Sequence, residues 1–293
     1  MTTASIHQLR RRIQSTRSLA QVTRAMQTVA ASKLRKVQQQ AIAAQPYDEW
    51  SQRFMRQLSS GGGETVTSQP LLQQPPIINS ILIIVVTSDR GLCGSYNQNV
   101  VREALLYLKD HPQLKASFIT VGRKGQQILS RLDYSLTAHF EIPRSGPDFA
   151  LAADIAHLAI DEFIHHRVQE VQLAYTHFRN ILTHPAKIER FLPLSLETEK
   201  SAQPGLEFVF EPSSEAILGE FLPRSLETHL YHALLEAATS EQASRMVAME
   251  NASRNAEDLV QELTVAYNKA RQQRITREIL DIASGAEALE DNK

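Results

Sequence analysis

Acidic residues are missing from the first 47 positions of this 293-residue chain, which nevertheless hold Arg10, Arg11, Arg12, Arg17, Arg24, Lys33, Arg35 and Lys36. Charge this one-sided implies either a solvated helix face or an acidic counterpart outside the segment. Cysteine is nearly absent. Cys93 is the only one, which excludes an internal disulfide and any cysteine-based metal site built from this chain alone, and fits a reducing compartment. Long apolar runs are missing too: Ile77–Val86 contains Asn79 and Ser80 and is about half of what a membrane helix needs. That run reads as a strand, and direct membrane insertion is not expected. The N-terminus has arginines but no apolar core followed by a small-residue cleavage site, so no secretory signal is expected. Excess charge is lacking overall, with 31 basic and 32 acidic residues, which excludes a protein that coats nucleic acid or membrane with its whole surface.

Helix breakers are scarce at both ends. Between Ser5 and Arg56 there is no glycine and a single proline, Pro46, among good helix formers. The apolar and small residues Ile6, Leu9, Ile13, Thr16, Ala20, Thr23, Gln27, Ala30, Leu34, Val37 and Ala41 step by three and four, a heptad-like seam weakened by Thr and Gln. A helix of about 50 residues extends ~75 Å and needs a helical partner. From Ser214 to Ser284 the only breakers are Gly219 and Pro223, and Met249, Ala252, Ala256, Leu259, Leu263, Ala266 and Ala270 form a regular seam. Upstream, Leu222, Leu226, Leu230, Leu234 and Ala237 continue an apolar face. Two long helices bracketing other structure bury such seams on each other by folding back antiparallel.

Breakers cluster instead at Gly61–Gly63 and at Pro70, Pro75 and Pro76, marking a connection. Beyond it, β-branched runs alternate with helical patterns. Strands are expected at Ile81–Thr87, Ser117–Val121, Leu136–Phe140, Glu170–Thr176 and Lys187–Pro193, with helices at Asn97–Leu108, Lys124–Leu132 and Phe149–His166. This is the signature of an α/β domain with a mainly parallel sheet. The expected segments are a helix over 1–60, a linker over 61–76, the α/β domain over 77–205 and a second helix over 206–293.

Candidate sites within that domain are few. Ser88-Asp89-Arg90-Gly91-Leu92-Cys93-Gly94 is a glycine-bearing strand-to-helix turn, but it lacks both the Gly-x-Gly-x-x-Gly spacing and a Gly-Lys-Ser/Thr ending. A structural turn with Cys93 as a small buried residue is the reading over a phosphate loop, and Gly122-Arg123-Lys124-Gly125 reads the same way. His165 and His166 point about 100° apart on a helix, and with His157 they lack a completing Cys or carboxylate pattern, so surface histidines are expected rather than a metal site. No Ser, His and Asp arrangement stands out as a triad, and neither a catalytic centre nor a cofactor is expected.

The stretch from Thr23-Arg24-Ala25-Met26-Gln27-Thr28 to Ala31-Ser32-Lys33-Leu34 resembles the N-terminal signature of the gamma subunits of F-type ATP synthases. Ser240-Glu241-Gln242-Ala243-Ser244-Arg245-Met246 through Ala252, and Tyr267-Asn268-Lys269-Ala270-Arg271-Gln272 through Ile275-Thr276-Arg277-Glu278-Ile279, resemble the C-terminal signature. Ser88 through Asn97 is similar to the family's turn after the first strand of its middle domain. The resemblance covers both helices and the domain between, in the family's order. It implies a long antiparallel two-helix coiled coil plus a central Rossmann-like α/β domain, serving as the rotating central stalk. The implied partners are the alpha and beta subunits, the epsilon subunit and the membrane c-ring, with no nucleic acid. The implied place is the cytoplasmic face of a bacterial plasma membrane, held there peripherally.

By the same resemblance, Met26, Lys33, Arg245, Arg271, Gln272, Thr276 and Glu278 face the alpha/beta ring, and Glu211, in Phe208-Val209-Phe210-Glu211-Pro212, faces the c-ring loops. Coiled-coil packing is the competing role for Met26. Arg245 is expected to reach outward to a partner. Arg254, Arg274 and Arg277 depart from the neutral or acidic residues of the pattern, and Phe208 and Phe210 stand where Tyr is commoner. A cysteine-bearing insertion like that of chloroplast-type members is absent, which implies no dithiol switch. Two other readings are a nucleotide-binding α/β protein that dimerises through coiled-coil arms and a basic coiled-coil nucleic-acid binder.

Overall fold

The computed structural model describes residues 3–61, 69–194 and 214–290, with side chains described for 6–55, 69–194 and 216–284. Helix α1 runs Thr3–Gly61, and a single 3₁₀ turn follows at Pro70–Leu72. Then come β1 (Ser80–Val86), α2 (Tyr96–Asp110), β2 (Lys115–Val121), α3 (Arg123–Arg131), β3 (Ser135–Phe140), α4 (Phe149–Ile164), β4 (Glu170–Thr176) and β5 (Ala186–Leu192), and helix α5 runs Ser214–Glu290. Each strand and helix expected in the α/β domain is present, with ends displaced by at most two residues, as fraying ends are; the second long helix is described from Ser214, and 206–213 lie outside the described residues. The described residues up to Val29 and from Met246 onward form one compact unit, and those from Ala30 to Arg245 form a second.

In the second unit the five strands form one sheet in the order β3-β2-β1-β4-β5. The first four are mutually parallel, because a helix lies between each consecutive pair to carry the chain back. Strand β5 is antiparallel to β4. Only the loop 177–185 joins them, tightened by Asn180 Oδ1, which accepts from the backbone N–H groups of Leu182 and Thr183. Without a crossover helix, a hairpin is the available return.

Strand β1 is sealed on both faces, which is why it reads as an unbroken apolar run. Leu82, Ile84 and Val86 point into a core shared with α4, while Ile81, Ile83 and Val85 point into one shared with α2 and α3. The first core also takes the stripe Leu218, Leu222, Leu226, Leu230 and Leu234 of α5. Steps of four overshoot a helical turn by about 40° each, so this stripe winds along α5 and suits a broad sheet-and-helix surface better than a two-helix seam. The upstream apolar face read from the sequence therefore packs on the α/β core.

Helices α1 and α5 also meet each other in the second unit. Val37 packs with Leu235 and Ala238, Asp48 faces His229 and His232, and Phe54 crosses Phe221 edge-on at 4.8 Å between ring centres. Numbers rise along one helix as they fall along the other, so the pair is antiparallel. The α1 seam holds at every expected position from Ala30 to Ala41 and continues through Ala44, Asp48 and Ser51.

In the first unit Ile6, Leu9, Ile13, Thr16, Ala20, Thr23 and Gln27 likewise turn from solvent. Thr23 is tolerated there because its hydroxyl donates to the carbonyls of Leu19 and Ala20, both at 3.0 Å. The α5 seam differs from expectation at every second position. Met249, Ala256 and Ala270 are buried as expected and Leu263 is half-buried, but between them Ser253, Val260 and Tyr267 turn inward, while Leu259 and Ala266 are exposed and Ala252 is half-buried. The order of steps is four then three. Ser253 Oγ donates to Ala20 O at 3.5 Å across the pair, which places it in the seam.

Candidate partner interface

Among the described residues of the first unit, the arginines of α1 make a single ion pair. In the first unit Arg10, Arg11, Arg12 and Arg17 are exposed with no ion-pair partner among the described residues, and Arg24 makes a 3.6 Å contact with Glu257 in which both side chains are more than half exposed. Such a pair is worth ~0–1 kcal/mol and neutralises little of the field. The same unit presents Leu19, Val22, Val29, Leu259, Val265, Ile275, Ile279, Leu280 and Ile282 to solvent. Apolar side chains this dense on a two-helix rod, beside uncompensated cations, are the composition of a surface meant to be covered.

Of the residues expected to face partners, Arg271, Gln272, Thr276 and Glu278 are exposed on α5 in the first unit, and Met26 is half-buried on α1. Glu278 is held by Arg274 one turn earlier, at 3.3 Å. Arg274, read as an added charge, is thus partly neutralised and half-buried.

Lys33 and Arg245 lie in the second unit. Lys33 is exposed, close enough to Glu241 to stabilise its charge. Arg245 does not reach outward in this structure: its side chain is 11% exposed, its Nη1 lies 2.6 Å from Glu241 Oε1, and its Nη2 donates to the carbonyls of Arg90 and Gly91. Burial raises the pKa of Glu241 despite the attraction of Arg245. Glu211 lies outside the described residues. The pairing of Glu241 with Arg245 was legible as an acid four residues before a base on one helix, and sequence reading passed it over.

What Arg245 grips is the turn after β1. Ser88 Oγ donates to Arg90 O at 2.6 Å, Asn97 Oδ1 accepts from the Ser88 backbone N–H at 2.9 Å, and Asn97 Nδ2 donates to Cys93 Sγ at 3.3 Å. Cys93 is buried, which pushes its thiol pKa up. Tyr96 anchors the end of the turn by donating to Ala237 O on α5 at 3.1 Å.

The second glycine turn is closed to anions because its donors are taken. The N–H of Gly122 goes to Phe140 O, that of Arg123 to Asp89 Oδ1, that of Lys124 to Ser88 O, and that of Gly125 to Thr87 Oγ1. A phosphate at this helix start would find no free backbone N–H among them. Asp89 also accepts from Ile142 N, so it is a structural clasp that sequence reading did not identify.

His157 bonds Glu227 at 2.8 Å and His165 pairs with Asp161, and among the described residues no three His, Cys, Asp or Glu side chains gather as a metal site. No described helix is long and apolar enough to cross a membrane.

Residues 5–289 match the family model described as ATP synthase. The chain is 39% identical over 288 residues to the ATP synthase gamma chain of Desulforamulus reducens, covering 98% of this chain and all of that one. The chain belongs to the ATP synthase gamma chain family. A likeness of 38% to the gamma chain of Brevibacillus brevis spans 97% of this chain and 98% of that one. Among solved structures, a chain of the Tetrahymena thermophila mitochondrial ATP synthase central stalk and c-ring is similar at 29% identity and a TM-score of 0.64, over 79% of this chain and 99% of that one. A chain of the Euglena gracilis mitochondrial ATP synthase matches in fold, with a TM-score of 0.72 at 20% identity over all of this chain and 97% of that one.

Proposed function

We propose that the chain is the gamma subunit of an F-type ATP synthase, the rotating central stalk that couples ion flow through a membrane c-ring to ATP synthesis or hydrolysis at alpha/beta catalytic sites. The observation that carries this reading is the match to gamma chains along 5–289 and over the whole of the Desulforamulus reducens relative. The subunit is non-catalytic and needs no cofactor. It works at the cytoplasmic face of a bacterial plasma membrane, joined to it through the c-ring and the epsilon subunit.

The physical logic suits a rod. An asymmetric shaft inside a ring of three like sites presents a different face to each, so turning it changes which conformation each site favours without bond chemistry in the shaft. The uncompensated arginines of α1 and the exposed Arg271, Gln272 and Thr276 of α5 are suited to acidic and polar loops of that ring. Met26 and Glu278 in the first unit, and Lys33 and Arg245 in the second, serve partner contacts too, Arg245 by exchanging Glu241 or the turn at Arg90 for a partner carboxylate. Glu211 serves the c-ring side.

Co-expression with alpha and beta subunits tests the assignment. One copy per three alpha/beta pairs, with ATP-driven rotation of a bead attached to the chain, is expected. A self-contained homodimer that binds ATP and leaves alpha and beta unassociated would overturn it, and salt-sensitive DNA binding at physiological ionic strength would favour a nucleic-acid role.

A further inference from the structure

In the second unit one imidazole stands between two carboxylates from different elements. His229 of α5 places Nδ1 3.5 Å from Asp48 Oδ1 of α1 and Nε2 3.1 Å from Glu189 Oε1 of β5. A neutral imidazole carries one N–H and one lone pair, so it can satisfy only one of these anions and turns its lone pair on the other. The imidazolium satisfies both. Asp48 Oδ1 is buried and accepts no hydrogen bond, which leaves the charge on His229 to compensate it.

The surroundings set the balance. On α1, Gln52 Nε2 donates to Asp48 Oδ2 at 2.8 Å. On β5, Lys187 lies 2.8 Å from Glu189 Oε2, and Phe191 stacks on the His229 ring. On α5, His232 lies 3.9 Å from Asp48 Oδ2, and Glu236 pairs with His177 of the loop after β4 at 2.9 Å. On β4, the buried Tyr175 phenol is held neutral by burial and by Glu189, Glu236 and Asp48. Two carboxylates are thus met by His229 and Lys187, and loss of the proton leaves one negative charge unmatched in a largely buried site.

We propose that His229 is a standing cation that fastens helix α1 to the edge of the sheet, and that alkali releases this joint when the imidazolium loses its proton. Burial disfavours the charge, but the attraction of Asp48 and Glu189 outweighs it and raises the pKa to about 9. The joint is a property of the folded chain and stands apart from any role in rotation.

Nitrogen-resolved NMR of the full chain, labelled at histidine, tests it without a substitution. Both ring nitrogens of His229 are expected to stay protonated at neutral pH and above, with a midpoint raised from 6.5 to about 9. A midpoint at or below 7, or a single protonated nitrogen at neutral pH, would overturn it. Hydrogen exchange supplies the mechanical readout. After correction for intrinsic base catalysis, protection of residues 41–54 should fall above pH 9 relative to α2, by at most about tenfold per pH unit, the limit for one proton. Asp48→Asn should abolish that differential fall. If residues 41–54 and α2 lose protection together, or if Asp48→Asn leaves the differential unchanged, the joint is not what His229 provides.

Discussion

Arg245 Nη1 lies 2.6 Å from Glu241 Oε1 one turn earlier on α5, both side chains about nine-tenths buried, and the same guanidinium donates to the backbone of the turn at Arg90 and Gly91. A pair so placed depends on both members. Arg245→Ala is expected to destabilise the chain by about 3 kcal/mol, because it strands a buried carboxylate, whereas Arg245→Met with Glu241→Leu should recover most of the loss. Urea denaturation measures both. Since the turn holds Cys93, Arg245→Ala should also open that buried thiol to a maleimide, with exposure of the side chain outweighing the loss of the guanidinium charge that favours the thiolate.

Gly122 is a sharper structural requirement than Gly146, although both have positive φ. A Cβ at Gly122 would meet Thr87 O at 2.2 Å, whereas one at Gly146 would meet nothing within 4 Å. Gly146→Ala is expected to cost ~1–2 kcal/mol, the strain of a left-handed residue alone. Gly122→Ala must also displace the Thr87 backbone carbonyl and should cost more than about 4 kcal/mol, enough to be diagnostic. Thermal melts of the two variants side by side distinguish these outcomes.

The α5 seam tests which step order is real. With Val260 half-buried and Leu259 43% exposed, Leu259→Glu should change the stability of the isolated chain by less than ~0.5 kcal/mol. Val260→Glu, which brings a carboxylate into the helix pair, should cost ~2 kcal/mol or more. Reversal of that ranking in denaturation midpoints would restore the three-then-four order. Leu259→Glu should still weaken assembly, because the exposed side chain belongs to the surface that partners cover.

What the residues could and could not disclose follows from the same stretch. The α1 seam was legible although Leu19, Val22 and Val29 stand beside it, because the heptad series through those three runs into Arg12, Lys33 and Lys36, whereas Ile6, Ile13, Ala30, Leu34 and Val37 share one uncharged register. On α5 both step orders pass through Met249, Ala256, Leu263 and Ala270, and the alternatives between them are Ala252 or Ser253, Leu259 or Val260, Ala266 or Tyr267. Hydrophobicity favours the wrong member in the first two choices, and only the facing helix decides. The strands were legible from their β-branched runs. The partner-facing residues came from family resemblance, and the inward turn of Arg245 was hidden because its receptor, the Arg90 carbonyl, lies 155 positions away in sequence. Likewise nothing in the spacing of Asp48, Glu189 and His229 announces that they converge.

Their convergence fixes a pH profile. The pKa of Glu189 is depressed to about 2, where burial is outweighed by the hydrogen bonds from His229 and Lys187. A depressed carboxylate contributes stability that is complete above its unfolded value near 4.5 and lost as pH falls toward about 2. A raised histidine contributes stability that is complete below its unfolded value near 6.5 and lost as pH rises toward about 9. The two windows overlap between pH 4.5 and 6.5, where this cluster should be most stabilising. Glu189→Gln is expected to flatten the acid limb and weaken the alkaline one, as read from urea midpoints at a series of pH values.

The basic face of α1 yields the prediction that separates folding from assembly. Arg10, Arg11, Arg12 and Arg17 are exposed and pair with no carboxylate among the described residues, so replacing all four with Gln should leave the melting of the isolated chain within ~0.5 kcal/mol per site. Their field nevertheless acts at a distance. If acidic loops of an alpha/beta ring receive this helix, the variant should associate with that ring about tenfold or more slowly at low salt, since steering by complementary charge raises encounter rates by ~10–10³. At 1 M salt, where the screening length shrinks to ~3 Å, the two proteins should associate at similar rates. Stopped-flow fluorescence with a labelled ring distinguishes the cases. Equal rates at low salt would mean that these arginines are only a solvated face, and that the cover for this helix is chosen by the exposed apolar residues alone.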